Sequence, residues 1–195
     1  MHSELDELTA EFQQYFKVEH SIVINVAPKA GSLPSETDFM TAIPEPFLMA
    51  GNVGQLNLNA LRSLQRLGEL AEELANYLQL QAKKLDLLLH YVLQQQDDSQ
   101  YRFRTLSYGG AGLSFISSRP FNALDVVEVK LFLAENAGAI FCYGQVLSCE
   151  EVEQSAAEFK ISIVFKRIRE EDRELLVRAS LQQQARQLKL KAEQR

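Results

Sequence analysis

YRFRTLSYGGAGLSFIS, Tyr101–Ser117, is the stretch whose reading decides the fold. Tyr101 to Leu106 and Gly112 to Ser117 are rich in aromatic and β-branched residues at strand spacing, and YGGAG between them has the composition of a tight turn. The same kind of run returns downstream as VVEVKLFLA (Val126 to Ala134), AIFCYGQVLSCE (Ala139 to Glu150) and EFKISIVFKRI (Glu158 to Ile168). Short turns such as RPFNALD and ENAG separate them, and five strand-like runs so spaced predict a small antiparallel barrel. Residues 169–195, opening REEDRELL, read as a closing helix that contacts the barrel through Leu175, Leu176, Ala179 and Leu181. Its first-turn acids and its late cations Arg186, Lys189, Lys191 and Arg195 complement the helix dipole.

Upstream of Tyr101 the period changes. Gln55 to Gln96 holds no proline and one internal glycine, and its leucines recur at spacings of three and four. With Leu64 at a, the a series reads Leu64, Ala71, Leu78, Leu85 and Val92, and the d series Leu67, Leu74, Gln81 and Leu88. A helix of this length, ~60 Å, cannot bury its stripe against one small domain and needs partner helices. The e positions (Leu61, Gly68, Ala75, Ala82, Leu89) and g positions (Ser63, Leu70, Tyr77, Lys84, Tyr91) are small or apolar apart from Lys84. Such wide flanks favour a bundle of four helices, with a dimer as the alternative and packing within one chain as the bland reading. Leu80 and Leu87, at c positions, are expected to face the chain's own barrel or another helix. Gln81 would fix register by hydrogen bonding across the bundle.

Further upstream, Leu5, Leu8, Phe12, Tyr15 and Phe16 share one face of a helix ending near Phe16, and HSIVINVA (His20 to Ala27) reads as a strand. Pro28, Gly31, Pro34, Pro44 and Pro46 punctuate the next stretch, which reads as loop, a short helix over Glu36 to Thr41, then an irregular apolar turn, PFLMAGNVG. The divisions are therefore 1–27, a helix and first strand; 28–54, loop and short helix; 55–97, the heptad helix; 98–168, the remaining strands; and 169–195, the closing helix.

Composition narrows the function. A hydrophobic fraction of 46% with 24% charged residues is that of a folded chain, and a net charge of −6 argues against nucleic acid, whose phosphates demand a basic face. Cys142 and Cys149 lack a second pair and a nearby histidine, which predicts reduced thiols in a cytoplasmic protein rather than a disulfide or metal site. The acidic start, MHSELDELTAEF, has no signal-peptide core, and no apolar run reaches the ~18 residues of a membrane span. No nucleophile–base set, phosphate loop or metal spacing is present, so the chain is read as non-enzymatic, without metal or cofactor. His2, His20 and His90 are scattered, and Asp97–Asp98 and Glu170–Glu171–Asp172 fit helix ends better than acid–base pairs.

TLSYGGAGLSF, the strand pattern after it and the helix opening REEDRELL together resemble the PilZ domain, and QQYFKVEHSIVINV is similar to that family's first strand and its approach. The resemblance implies an α+β fold: a six-stranded antiparallel β-barrel with a C-terminal helix, here carrying the long coiled-coil helix as an insertion after the first strand. It also implies a role in bacterial cyclic di-GMP signalling, in motility, pili or virulence. The family's ligand signature is Arg-x-x-x-Arg before the first strand and Asp/Asn-x-Ser-x-x-Gly after the second. Here Gln13 and Lys17 stand at the arginine positions and Thr105 at the Asp/Asn position, while Ser107 and Gly110 match. Gln13 is neutral, Lys17 lacks the bidentate fork, and Thr105 lacks the carboxylate or amide acceptor. Charge-assisted bonds are worth roughly 1.5–3 kcal/mol each, so these changes would remove most of a micromolar affinity. The expectation is a lapsed nucleotide site, with a true receptor using Lys17, Arg102 or Arg104 as the alternative. The glycines at 109, 110 and 112 are read as a turn needing positive φ and close backbone approach. The chain is also similar to tetrameric PilZ proteins of plant-pathogenic xanthomonads, a subgroup with an inserted heptad helix and no nucleotide affinity. That similarity implies a homo-oligomer, a tetramer above all, presenting its barrels to a protein partner.

Overall fold

In a computed structural model, which describes residues 2–50, 69–133, 138–152 and 158–193, the segment Tyr101–Ser117 becomes the hub of a closed sheet. Three strands lie along β3 (Arg102–Gly109), all antiparallel to it: β4 (Gly112–Ser117) on one edge, and β1 (Lys17–Glu19) and β2 (Val23–Pro28) on the other. β2 also pairs with β5 (Val126–Phe132), β5 with β6 (Ala139–Glu151), and β6 with β7 (Phe159–Arg167). β7 returns to β4 and closes the ring. β1 and β2 lie in line against one edge of β3, opposite Ser107–Gly109 and Arg102–Arg104, and serve as one strand interrupted at 20–22. Counted so, the barrel has the six antiparallel strands expected. The continuous strand expected over His20 to Ala27 is corrected by this break, where the Thr105 hydroxyl stands in for the missing ladder bonds.

Branched and aromatic side chains fill the barrel: Ile24, Val26, Leu113, Phe115, Val129, Leu131, Ile140, Ile161 and Ile163 are all fully buried. Each contributes ~1.5–3 kcal/mol by leaving water. Helix α5 (Glu170–Glu193) adds the buried Leu176 to this core, with Leu175 and Ala179 packed against it. Cys142 lies inside, where burial pushes its thiol well above the ordinary range, and both cysteines are free.

The insertion after β2 is held by a second core on the outer face of β6. Helix α2 (Glu36–Ala42), capped by the Ser35 hydroxyl, contributes Phe39; a further helix, α3 (residues 45–50), contributes Phe47 and Ala50. The irregular turn expected around 46–50 is thus helical. Phe39 and Phe47 pack on Phe141 with ring centroids 6.5 and 6.0 Å apart. Leu93, from the last turn of α4 (Glu69–Gln94), joins the same cluster. Buried Asn25 of β2 fixes the exit of α4: its amide donates to Asp97 Oδ1 at 2.8 Å and its Oδ1 accepts from the Asp98 N–H at 2.7 Å. From the other side Arg169, just before α5, donates through Nη2 to the Phe47 carbonyl at 3.3 Å. Both ends of the insertion are therefore bolted to the barrel. The expected heptad segment at 55–68 lies outside the described residues.

Candidate functional site

Two surfaces concern function: the turn that carries the ligand-motif positions, and the exposed side of α4. Four of the five motif positions, Lys17, Thr105, Ser107 and Gly110, lie at or beside the β3–β4 turn, and each of these four is engaged in holding the chain. Thr105 is 3% exposed and fills the break between β1 and β2. Its hydroxyl donates to the His20 carbonyl at 2.7 Å and accepts from the Ile22 N–H at 3.0 Å, while its own N–H donates to the Ile22 carbonyl at 3.1 Å. One side chain supplies both partners that the interrupted ladder lacks. A residue that only accepts could not do this. Thr105→Val keeps the shape and strands two buried backbone groups, so stability should fall by about 2 kcal/mol in denaturant unfolding; an unchanged midpoint would contradict the role.

Ser107 Oγ lies 2.8 Å from Ser114 Oγ across β3 and β4, so its hydroxyl is turned to its neighbour strand. Lys17 opens β1 with Nζ 3.0 Å from the centroid of the Phe12 ring, and burial, reinforced by Lys160, lowers its pKa. Gln13, on helix α1 (His2–Gln14), is exposed. The Gly110 carbonyl accepts from Arg173 Nη1 at 2.7 Å, and Arg173 also lies 5.6 Å over the Tyr15 ring. A Cβ at Gly110 would come within 2.8 Å of both Tyr15 and Val177; at Gly109 it would run into the Phe16 carbonyl and at Gly112 into that of Ile163. None of the three has positive φ, which corrects half of the expectation: close approach alone requires glycine here. Helix α1 thus lies over the turn. Sequence reading placed Phe12 and Tyr15 on one helical face but did not foresee that this face covers the motif, nor that Arg173 locks the turn from α5.

The basic residues offered as substitutes do not converge on that turn. Arg102 Nε bonds Asp97 at 2.9 Å, at the foot of α4. The Arg104 side chain makes no hydrogen bond or ion pair with the described residues and lines a different cleft, of 340 Å³, beside His90 and Asp97. Among the described residues no group of three or more His, Cys, Asp and Glu side chains could hold a metal ion, and no helix is long and apolar enough to cross a membrane.

Helix α4 presents the second surface. Leu74, Leu78, Leu85, Leu88 and Val92, at a and d, are 40–63% exposed, and Gln81 is half-buried. Tyr77 and Tyr91 at g and Leu80 and Leu87 at c are also exposed, by 52–68%. Leu80 and Leu87 therefore do not face the chain's own barrel. At 100° per residue, positions a, d, g and c sweep an arc of about 160°. Among the described residues of α4, the buried ones are Ala75 and Leu93, both outside that arc. Leu64, Leu67 and the side chain of Ala71 lie outside the described residues.

The chain is similar to several solved structures. A tetrameric PilZ domain protein of Xanthomonas campestris, self-assembled through a helical bundle, has 17% identity and a TM-score of 0.55 over 95% of this chain and 96% of its own, a likeness of fold. The Bacillus subtilis inhibitor of motility MotI/DgrA has 8% identity and a TM-score of 0.48 over 89% of this chain, which spans only about half (52%) of that protein. The K. pneumonia MrkH–c-di-GMP complex, at 20% identity and a TM-score of 0.37, covers 48% of this chain and 43% of its own. No curated protein matches the chain. The PilZ domain itself matches residues 81–182, just over half of the sequence and all of the barrel after its first strand, and the chain belongs to the PilZ domain family.

Proposed function

We propose that this protein is a non-catalytic PilZ module of bacterial cyclic di-GMP signalling that works by self-assembly, most simply as a tetramer through α4, and does not itself hold the nucleotide. The observation that carries the reading is the apolar arc on α4, exposed in the single chain over about 160°. A two-stranded coiled coil covers only a and d. Leucines and tyrosines at g and c as well call for a second neighbouring helix, the arrangement of a four-helix bundle. The Xanthomonas relative, described as a tetramer built on a helical bundle, supports this by analogy of fold. The resulting particle would present several barrels to a protein partner.

The loss of nucleotide binding rests on the motif positions. Thr105 and Ser107 spend their hydroxyls on internal bonds, Lys17 is held over Phe12, and Gln13 brings no charge. Titration calorimetry of the full chain with cyclic di-GMP is expected to show no saturable heat at micromolar nucleotide. Micromolar binding lost on Lys17→Ala or Ser107→Ala would overturn this half of the reading and restore the receptor.

A further inference from the structure

A groove of 550 Å³ runs between α3 and the C-terminal half of α4. Pro46 and Met49 form one wall, Leu85, Leu88 and Val92 the other, and the exposed Glu45 also lines it. We propose that this groove is the socket for α4 of a second copy of the chain, so that α3, and not the heptad helix alone, takes part in assembly. The inference rests on the reading that α4 assembles the protein, and names what its exposed face docks into.

Two observations identify the occupant. The first is continuity: Leu85, Leu88 and Val92 belong both to the groove and to the exposed a/d stripe that runs up α4 to Leu74. A helix that covers the stripe must enter the groove at its lower end, where Met49, 57% exposed, widens the apolar floor beyond what one helix offers. The second is charge. Among the described residues Glu45 is the single charged one lining the groove, and Lys84 is the single charged residue at any a, d or g position from Leu74 to Val92. Neither makes an ion pair among the described residues. A second α4 therefore brings an apolar stripe to an apolar groove and one cation to its one anion. Like charges placed there would oppose docking.

The test is a charge exchange in the full chain, followed by sedimentation equilibrium at low salt. Glu45→Lys and Lys84→Glu should each weaken association by about tenfold, and the double variant should recover most of it, because every interface then carries the pair reversed. Met49→Glu should weaken association without shifting the unfolding midpoint of the barrel. An oligomeric wild type whose association none of these changes weakens would overturn the socket and leave assembly through α4 standing. A double variant no better than either single would overturn the pairing of Glu45 with Lys84. A monomeric wild type would overturn both socket and assembly.

Discussion

Replacing Leu85 and Leu88 together by glutamate is expected to reduce the protein to a monomer while its barrel remains folded. Both side chains are more than 60% exposed in the single chain, so the substitutions bury no charge there and leave no cavity. In a bundle the same positions are central. Each chain would place two carboxylates in an apolar seam, several kcal/mol per chain against association, and a closed assembly multiplies that by its copies. Sedimentation velocity should show the slow boundary of one chain, and circular dichroism should keep the strand signal. An assembly unchanged by the pair would mean that these leucines serve another purpose. Gln81→Leu provides the finer control: it should leave association intact and broaden the distribution of oligomers, since a polar d residue sets register at some cost in stability.

The second large effect is expected at Arg169. Its side chain and that of Asp172 are 4% and 1% exposed, and two parallel bonds of 2.8 Å join guanidinium to carboxylate. The same guanidinium reaches the Phe47 carbonyl, so one residue ties α5, the barrel and the insertion together. Arg169→Met should cost about 3–5 kcal/mol in denaturant unfolding, because Asp172 is left buried without its counter-charge. Adding Asp172→Leu should return most of the loss, as an apolar pair replaces the ionic one. A small cost for the single change, or no recovery in the double, would contradict the clamp. Burial pushes the Asp172 carboxyl up to about 6 against the opposing pull of Arg169. The folded protein then holds this proton more tightly than the unfolded chain. The stabilisation from this group is fully present below the ordinary carboxylate pKa and is lost as pH rises through 6, a slope that Asp172→Asn should remove.

How far the fold could be read depended on whether a feature was local. The β-branched runs of β4, β5, β6 and β7 stand in the sequence nearly to their observed ends, and the turn and breaker residues between them mark the boundaries. The heptad is equally local: Leu74 to Val92 declares an apolar face by spacing alone. Three features were not legible, because each depends on surroundings that residues far apart in the chain supply. Thr105 looked like a lost acceptor in a ligand motif, and only the positions of His20 and Ile22, 85 and 83 residues away, show it as the plug of a broken strand. The second core needs Phe39 and Phe47 from a proline-rich stretch to meet Phe141 and Tyr143. A signal for it was present in AIFCYG, whose six residues are buried on both faces of β6 where a strand with one wet face would alternate. Arg169 and Asp172 read as ordinary helix-start charges, and nothing in their spacing announces burial. The candidate site divides in the same way: the missing arginines were visible residue by residue, whereas the covering of the turn by Phe12 and Tyr15 required the docked helix.

The central claim is that the apolar arc of α4 is closed by other copies of the same chain. Sedimentation equilibrium of the unaltered protein at micromolar concentration tests it most directly. The expected result is a species of four times the 22.1 kDa chain mass, independent of loading concentration over the upper range. A single 22.1 kDa species across that range would contradict it.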